Sequence, residues 1–539
     1  MPTSYLSFKE TNYFSKLICD YLDEKKELKP FYNRFPHLEN FGEQIKEKKA
    51  SFAVENRKVL KQVLLEQYQK VGKATSTKTA ENIIALEDAN TFTVVTGHQL
   101  NLFTGPLYFL YKIISTINLC KRLAKQYPDN TFVPVYWMAT EDHDFEEINF
   151  FNFNGKKFQW QGPGSTEQGG AVGAYSTDGL ESVLDLFESE LGRGVHAQRV
   201  AELFKKAYIT HDNLSDATRY LANELFKDQG LVIIDADAYQ LKQLFIPQMR
   251  QELFEPTSQT TVESTITALN QVDPSYKIQV NPRAINLFYL NTGSRERIIE
   301  TPTGYGVNNT DITWSKEELE DHLRDSPERF SPNVMTRPLY QEVILPNLCY
   351  IGGAGELAYW LELKDFFETQ KVPFPILLLR NSALIISEKQ SSKLEKLNIS
   401  NKQLFLDKNS FINSKIREIS NIDIDFSVQK KHLEEQFKAM YQIAEQTDKT
   451  FLGAVKAQEV KQIKGLDHLE KRLLKAQKKK LSDQVSRLVT LQNELFPNGS
   501  LQERSENFAN IYVHYGPLFI ERLLEDLDPL HAEFVLIRI

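Results

Sequence analysis

Four apolar stretches alternate along the chain with segments whose apolar residues recur every three or four positions. The stretches are residues 91–97 (TFTVVTG), 131–140 (TFVPVYWMAT), 230–237 (GLVIIDAD) and 374–381 (FPILLLRN). Apolar strands separated by helices are typical of a parallel sheet covered by helices on both faces. The pattern therefore predicts a doubly wound α/β core, with a helix over about residues 106–126 after the first strand.

Two segments interrupt this alternation. The first, about 149–200, contains the glycine-rich and aromatic FFNFNGKKFQWQGPGSTEQGGAVGAYS, which predicts a β insertion or flap. The second, about 271–330, contains YKIQVNPRAINLFYL and TPTGYGVNNTDITW, which have strand and hairpin character. We therefore expect residues 1–385 to form an α/β core with two inserted subdomains.

A helical region is predicted over residues 386–500. Apolar residues recur at helical spacing over about 426–461 and again over 466–495, on either side of the sequence IKGLD. This pattern predicts an antiparallel coiled-coil hairpin over about 426–496, and residues 501–539 are expected to return to the core.

The expected hairpin leaves apolar side chains near its tip. Val455, Val460 and Ile463 would face water there, and a second copy of the chain is the simplest cover for them. We therefore expect a homodimer through the coiled coil. A hairpin folded against its own core is the alternative.

Composition narrows the functional classes. Hydrophobic residues make up 41% and charged residues 25% of the 539 positions, which is typical of a globular protein. The net charge of −8 gives no general attraction to nucleic acid or to anionic membranes. The three cysteines lack a CxxC pair, and no apolar stretch approaches a membrane span. We expect a cytoplasmic protein with no membrane partner. The local positive excess over 469–487 is read as a solvated helix face rather than an RNA site.

The first strand passes into its helix through TGHQLNLFTGP, which contains neither a Walker A motif nor GxGxxG. A helix start offers free N–H groups and a positive dipole end, so a phosphate or carboxylate can bind there. A plain turn, with unusual backbone dihedrals at both glycines, is the alternative. The candidate binding residues are Gly97, His98, Gln99, Thr104, Gly105, Tyr108 and Lys112.

An acidic segment, ATEDHDFEEIN at 139–149, directly follows the second strand. Ligands of open α/β sheets bind at the carboxyl ends of strands. Glu141 is therefore a candidate binding residue, and Asp142, His143 and Asp144 are candidate catalytic residues that hold an ammonium group or act as a general base. A solvated helix-capping turn is the alternative. A second ligand cluster is not evident, so the sequence leaves any metal unknown.

A third segment, 331–364, places an arginine and a glutamine one helical turn apart and then a glycine-rich turn, YIGGAGE. The planar guanidinium pairs two oxygen atoms of a phosphate or carboxylate at once. An arginine that bridges helices, followed by a plain turn, is the alternative. The candidate binding residues are Asn333, Arg337, Gln341, Gly352, Gly353, Glu356, Tyr359 and Trp360.

Four segments, in order and over essentially the whole chain, resemble the cysteine ligases of bacillithiol biosynthesis. They are VVTGHQLNLFTGPLYFLYK, PVYWMATEDHDFEEIN, NVMTRPLYQEVILPNLCYIGGAGELAYWLELK and the late coiled-coil segment. The resemblance implies a Rossmann-like, nucleotidyltransferase-type core with two connecting insertions and a dimerising coiled coil. It also implies the last step of that pathway, in which L-cysteine is joined to the amine of glucosaminyl-malate. His98 departs from the family pattern, which has glutamine there.

A looser similarity links the layout to class I aminoacyl-tRNA synthetases. In those enzymes a His-Gly signature at the first helix start binds ATP, but literal HIGH and KMSKS motifs are missing here. We therefore expect ATP or ADP to bind. Because attack on a free carboxylate must expel oxide, we also expect the cysteine carboxyl group to be activated as an adenylate or acyl phosphate before the amide forms. The alternative is an RNA-associated or regulatory binding protein that keeps a synthetase-like core without its chemistry.

Overall fold

A computed structural model describes residues 3–71, 75–163, 169–255 and 257–539. The chain forms two compact units. The first comprises Met1–Lys9, Tyr13–Leu384 and Gln502–Ile537, and the second comprises Glu10–Asn12, Ile385–Leu501 and Arg538–Ile539. The first unit thus contains the α/β core, both insertions and most of the C-terminal segment.

The β-strands are β1 (Ser4–Leu6), β2 (Thr91–His98), β3 (Thr131–Met138), β4 (Phe150–Phe153), β5 (Lys156–Gln159), β6 (Val232–Asp235), β7 (Leu287–Asn291), β8 (Ser294–Thr301), β9 (Gly304–Val307), β10 (Thr313–Trp314), β11 (Phe330–Pro332), β12 (Asn347–Gly352), β13 (Ile376–Leu379), β14 (Ala383–Ile386) and β15 (Phe534–Arg538).

The α-helices are α1 (Phe8–Thr11), α2 (Lys16–Leu22), α3 (Phe41–Ser51), α4 (Val54–Gln69), α5 (Thr77–Ala85), α6 (Tyr108–Gln126), α7 (Phe145–Ile148), α8 (Leu180–Leu191), α9 (Val195–Tyr208), α10 (Leu214–Phe226), α11 (Tyr239–Gln243), α12 (Ile246–Phe254), α13 (Thr257–Val272), α14 (Lys316–Asp325), α15 (Thr336–Ile344), α16 (Ala354–Leu361), α17 (Lys364–Thr369), α18 (Glu388–Lys396), α19 (Asn401–Leu404), α20 (Lys408–Ile419), α21 (Ser427–Ala444), α22 (Lys449–Lys480), α23 (Ser482–Leu495), α24 (Gln502–Ser505), α25 (Ala509–Tyr515) and α26 (Pro517–Asp526).

The central sheet has the order β13-β12-β2-β3-β6, and its neighbouring strands are parallel. Counted along the chain, the five strands follow the order 3-2-1-4-5, which is the doubly wound order 3-2-1-4-5-6 without its last strand, and the switch point lies between β2 and β12. All eight residues of β2 are buried. A continuous apolar strand fits this position because helices cover both faces of the sheet.

One side of this sheet packs against α3 and α6. The residues of this part of the core are all apolar and buried: Phe41, Ile45, Phe92, Val94, Leu119, Cys120, Leu123, Phe132, Leu348, Cys349, Ile351, Ile376 and Leu378. Both cysteines of the cluster are free thiols. The predicted α/β core is therefore confirmed.

The first insertion has less β structure than the sequence suggests. A short antiparallel hairpin, β4 with β5, is followed by α8 and α9, and residues 164–168 of the predicted flap lie outside the described part of the chain. The second insertion forms an antiparallel sheet of order β10-β9-β8-β7-β11. Here the predicted hairpin character is correct.

In the second unit the expected turn at residues 463–467 is wrong. The chain reverses at residues 445–448, between α21 and α22, and IKGLD lies inside α22. The Asp448 side chain accepts a hydrogen bond from Thr450 N and so caps the new helix. A single glycine costs a helix only about 1 kcal/mol, so Gly465 does not end a helix that spans roughly 48 Å.

The different position of the turn also changes which residues face water. Val455 was expected to be exposed but is buried against Phe437 and Ala444 across the antiparallel pair of helices. Val460 is exposed, as expected, whereas Ile463 is partly buried. Among the described residues, no helix is both long enough and apolar enough to cross a membrane.

Candidate functional site

A crevice of about 760 Å³ lies in the first unit at the carboxyl ends of the central strands. Its wall includes Gly97 and His98 from the end of β2, Trp137 and Met138 from the end of β3, and Arg380 just after β13. The crevice thus lies at the switch point of the sheet, where ligands of doubly wound folds bind.

The wall is strongly cationic. Among the described residues it carries three carboxylates, Glu141, Asp142 and Glu356, and seven cationic side chains, which are Lys112, Arg283, Arg295, Arg297, Arg337, Arg380 and Arg504. Within the described chain, ion pairs with carboxylates form at Lys112, Arg295 and Arg380 and not at the other four arginines. These four cations give the crevice an excess of positive charge that suits an anionic ligand.

Lys112 is held by groups of the protein itself. Its ammonium donates a hydrogen bond to Gly97 O at 2.7 Å and forms an ion pair with Glu356. Glu356 also accepts hydrogen bonds from Tyr350 Oη at 2.6 Å and from Gly353 N at 2.7 Å. Burial lowers the pKa of Lys112, and Glu356 opposes this effect. Lys112 therefore orders the wall, and it must exchange partners before it can contact a ligand.

Arg337, on α15, points its guanidinium towards the end of β2. It donates hydrogen bonds to Tyr359 Oη at 3.1 Å and to Gln341 Oε1 at 3.3 Å. A Cβ atom on Gly97 would lie 3.3 Å from Tyr350 Oη and 3.8 Å from Arg337 Nη1. The missing side chain at Gly97 therefore lets both groups approach the strand closely.

Asp142 is the most strongly perturbed carboxylate of the wall. Burial alone would raise its pKa, but hydrogen bonds from His143 and Gln99 and the charge of Arg295 outweigh burial and hold the pKa well below its ordinary value. Its Oδ1 atom accepts from His143 N at 2.7 Å, and its Oδ2 atom accepts from the Gln99 amide. Asp142 is therefore an anion at neutral pH, and such an anion suits an ammonium or amine ligand better than the role of a strong base.

Arg380 is fixed from behind by Glu503. The pair is buried, with 2.8 Å between Arg380 Nη2 and Glu503 Oε1, and Glu503 Oε2 accepts a hydrogen bond from Ala383 N at 3.0 Å. Arg380 also lies over the ring of Tyr108, 5.0 Å from its centroid. Its Nε atom is buried without a hydrogen-bond partner among the described residues.

The structure gathers most of the candidate residues in one wall. Those that line the crevice are Gly97, His98, Gln99, Tyr108, Lys112, Glu141, Asp142, Asn333, Arg337, Gly353, Glu356 and Tyr359. Those that do not line it are Thr104, Gly105, His143, Asp144, Gln341, Gly352 and Trp360.

Several of the residues outside the wall have identifiable structural contacts. Thr104 and Gly105 belong to the nine-residue segment between β2 and α6, and Asn507 donates a hydrogen bond to Gly105 O of this segment at 2.7 Å. Gly105 has the positive φ expected for it (61°), whereas Gly97 lies inside β2 without one. Trp360 is buried and stacks on Tyr350, and Gln341 supports Arg337. His143 stays next to the site, with its Nδ1 atom 3.0 Å from Arg295 Nη1.

Sequence reasoning missed most of the arginines in the wall. Arg283, Arg295 and Arg297 come from the second insertion, and Arg504 comes from the C-terminal return. The one local signal was Arg380, which directly follows an apolar strand, as ligand-binding residues of α/β folds often do. Among the described residues there is no cluster of three or more histidine, cysteine, aspartate or glutamate side chains suited to a metal ion.

Fold and site together define a Rossmann-like α/β protein with a cationic ligand crevice at the switch point of its sheet. Two family models match this chain: "Bacillithiol biosynthesis BshC, N-terminal Rossmann-like domain" over residues 1–381 and "Bacillithiol biosynthesis BshC, C-terminal coiled-coil domain" over residues 383–539. The chain belongs to the BshC family of bacillithiol biosynthesis. The resemblance noted in the sequence is thereby confirmed, as is the Rossmann-like fold with a C-terminal coiled coil.

Similar proteins match most or all of the chain. A protein of Christiangramia forsetii is 61% identical over 99% of this chain and 98% of its own length, and one of Flavobacterium johnsoniae is 55% identical over 100% of both. A protein of Staphylococcus haemolyticus is 30% identical over 82% of this chain and 83% of its own. Each bears the name "Putative cysteine ligase BshC". These relatives support a ligase.

Proposed function

We propose that the protein joins the carboxyl group of L-cysteine to the amine of glucosaminyl-malate, with ATP activating the carboxyl group. The observation that carries the proposal is the charge pattern of the crevice: four arginines without a carboxylate partner in the described chain, beside the anionic Asp142. A triphosphate and the malate carboxylates are anions that arginine binds well, and the amine of the acceptor suits a carboxylate.

The reaction needs an activated carboxyl group because attack on a free carboxylate would have to expel oxide. A carboxylate oxygen of cysteine attacks a phosphorus atom of ATP, which gives an acyl adenylate and pyrophosphate or an acyl phosphate and ADP. The neutral amine then attacks the carbonyl carbon. The bond from that carbon to the phosphate oxygen breaks, AMP or phosphate leaves, and the nitrogen gives up one proton.

The residues of the wall divide these tasks. Arg337 and Arg380 stabilise negative charge that develops on phosphate oxygens, because both are fixed before the ligand arrives. Asp142, with its low pKa, orients the amine rather than removing its proton. His143, half-exposed beside Asp142, is the neighbouring imidazole to which that proton can pass.

The test is to incubate the purified protein with L-cysteine, glucosaminyl-malate and ATP and to follow the amide and the nucleotide product by mass spectrometry. Asp142→Asn should lower the rate at least about 100-fold if Asp142 orients the amine. Asp144→Asn is the matched control, since Asp144 lies two residues away and does not line the crevice. Formation of AMP or of ADP distinguishes the two modes of activation. No product with any nucleotide, with or without Mg²⁺, would contradict catalysis by this chain alone.

We also propose a homodimer through the second unit. Large apolar side chains of α21 and α22 are exposed in the isolated chain: Val428, Met440, Ile443, Phe451, Leu452, Val460 and Leu469. A second copy related by a twofold axis would cover them. The double variant Ile443→Glu and Phe451→Glu should be monomeric in light scattering, whereas Lys438→Glu, a charge change at an exposed position of α21, should not alter the mass. A monomeric mass for the unmodified chain at micromolar concentration would refute the dimer.

A further inference from the structure

His98, the last residue of β2, lines the crevice and carries a buried hydrogen-bond acceptor. The side chain is 6% exposed and packs against the rings of Tyr108 and Phe109, at centroid distances of 5.3 and 5.0 Å. Its Nε2 atom is buried and has no hydrogen-bond partner among the described residues. A buried polar atom of this kind normally has a partner, and here the partner can come from a ligand.

The other ring nitrogen fixes the tautomer. Nδ1 lies 2.8 Å from Gln99 O, and a carbonyl oxygen can only accept a hydrogen bond. Nδ1 therefore carries the proton. Burial, reinforced by the charge of Lys112, lowers the pKa of His98 to about 3, so the ring is neutral at physiological pH. A neutral ring with its proton on Nδ1 has a lone pair on Nε2 and can only accept there.

Gln99 presents a second acceptor by the same reasoning. Its Nε2 atom donates to the Asp142 carboxylate, which is ionised and can only accept. The amide orientation is thereby set, and Oε1 is the buried atom that lacks a partner among the described residues. His98 Nε2 and Gln99 Oε1, which we call the acceptor pair, thus lie in a wall that is otherwise mainly cationic.

This setting selects the kind of group that can bind. A phosphate or carboxylate oxygen would place its lone pairs against those of the acceptor pair, and that contact is repulsive. An ammonium group next to His98 would meet the positive charges of Lys112 and Arg380, and of the carboxylates only Glu356, already paired with Lys112, acts on this ring. An uncharged O–H donor avoids both penalties.

We propose that the acceptor pair is a recognition site for sugar hydroxyl groups, with His98 Nε2 accepting a hydrogen bond from one hydroxyl. This inference rests on the proposed function, whose substrates carry two sugars, the ribose of ATP and the glucosamine ring of the acceptor. Either sugar supplies the required chemistry. His98 and Gln99 are positioning residues in this proposal and take no proton from the substrate.

Calorimetric binding to the full chain tests the proposal without relying on turnover. One arm compares ATP with 2′-deoxy-ATP and 3′-deoxy-ATP, and the other compares glucosaminyl-malate with its 3-, 4- and 6-deoxy analogues. In the unmodified protein, loss of one particular hydroxyl should weaken binding about five- to tenfold. The arm in which this happens identifies the sugar.

Variants then assign the effect to the acceptor pair. In His98→Leu the same deoxy analogue should bind as well as its parent compound, and His98→Gln, which keeps an acceptor oxygen, should restore part of the difference. If His98→Leu does not fold, Gln99→Met serves in its place.

The outcomes separate the two hypotheses. Equal binding of every deoxy analogue and its parent, or an undiminished difference in the folded variant, overturns the hydroxyl site alone. Failure of both ATP and glucosaminyl-malate to bind overturns the hydroxyl site together with the proposed function.

Discussion

The buried pair Arg380–Glu503 gives the sharpest stability prediction. The two side chains are 5% and 0% exposed. Glu503 accepts hydrogen bonds from Arg380 Nη2 and from Ala383 N, one on each of its carboxylate oxygens. Glu503→Gln removes the charge and points an amide donor at one of these two donors. Breaking a buried ion pair on one side typically costs about 3–5 kcal/mol, because the other charge stays buried without compensation.

The expected shift in Tm follows from this free energy. An unfolding entropy of about 2.1 cal/mol/K per residue over roughly 400 residues gives about 0.8 kcal/mol per degree, so Glu503→Gln should lower Tm by about 4–6 °C. Arg380→Met should lower Tm by a similar amount, since it leaves Glu503 unpaired. The double variant should lose clearly less than the sum of the two, because neither charge is then left alone.

Differential scanning calorimetry of the four proteins provides the measurement. Glu342→Gln is the matched control: Glu342 forms a buried ion pair with Lys48 at 3.0 Å, outside the crevice, and its loss should cost a similar amount. The variants of Arg380 and of Glu503, which fixes it, should also weaken the proposed binding of ATP, whereas Glu342→Gln should not. Shifts in Tm that simply add in the double variant would refute the argument that these two charges are coupled.

Three further outcomes are expected. Burial raises the pKa of Glu252 to about 7, so its stabilising contribution is complete below its ordinary pKa and is lost as pH rises through 7. In thermal melts, the free energy of unfolding of Glu252→Gln should equal that of the unmodified protein at pH 4.5 and exceed it by about 3 kcal/mol at pH 8.5. A difference that does not change with pH would contradict this. Gly105→Ala should lower the free energy of unfolding by at least about 2 kcal/mol, because φ is 61° and the new Cβ atom would lie 2.6 Å from Asn101 Cβ. Gly155 has a similar φ of 75° but open space around it, so Gly155→Ala should cost about half as much in the same melts. If ATP binds in the crevice as proposed, Arg297→Gln should weaken its binding about threefold at low salt and little at 0.5 M salt. Arg324→Gln, at an exposed position outside the crevice, is the control and should leave the affinity unchanged. Equal effects of the two variants would exclude a specific role for Arg297.

The parts of the fold that the sequence predicts well are those set by local pattern. The strands β2, β3, β6 and β13 coincide with apolar runs because a central parallel strand is buried on both faces. The order of the strands has no such local signature. That order places β12 beside β2 and so brings Glu356 to Lys112, although 244 positions of sequence separate them.

The hairpin differs, because its most conspicuous local signal does not mark the turn. IKGLD looked like a turn because it contains a glycine between two helical patterns, yet α22 continues through it. The real turn carries only a capping aspartate, Asp448, as its local signal. Two helices joined by a turn and one helix that contains a glycine show the same apolar periodicity. The pattern alone therefore does not locate the point where the chain reverses.

The arginines of the crevice explain why the site was only partly predictable. Arg283 and Arg297 lie in the second insertion, Arg337 on α15, and Arg504 on α24 in the C-terminal return. Because these positions are far apart in sequence, only the tertiary structure brings the four side chains to one wall. Like charges thus line one crevice without a carboxylate partner in the described chain, and their repulsion, which water screens at the exposed Arg283, Arg297 and Arg504, works against folding. A chain gains nothing in stability from such an arrangement. An anionic ligand that contacts all four would offset the repulsion and tie the insertion, the core and the C-terminal return to one another, so the charge excess itself indicates a ligand with several negative charges.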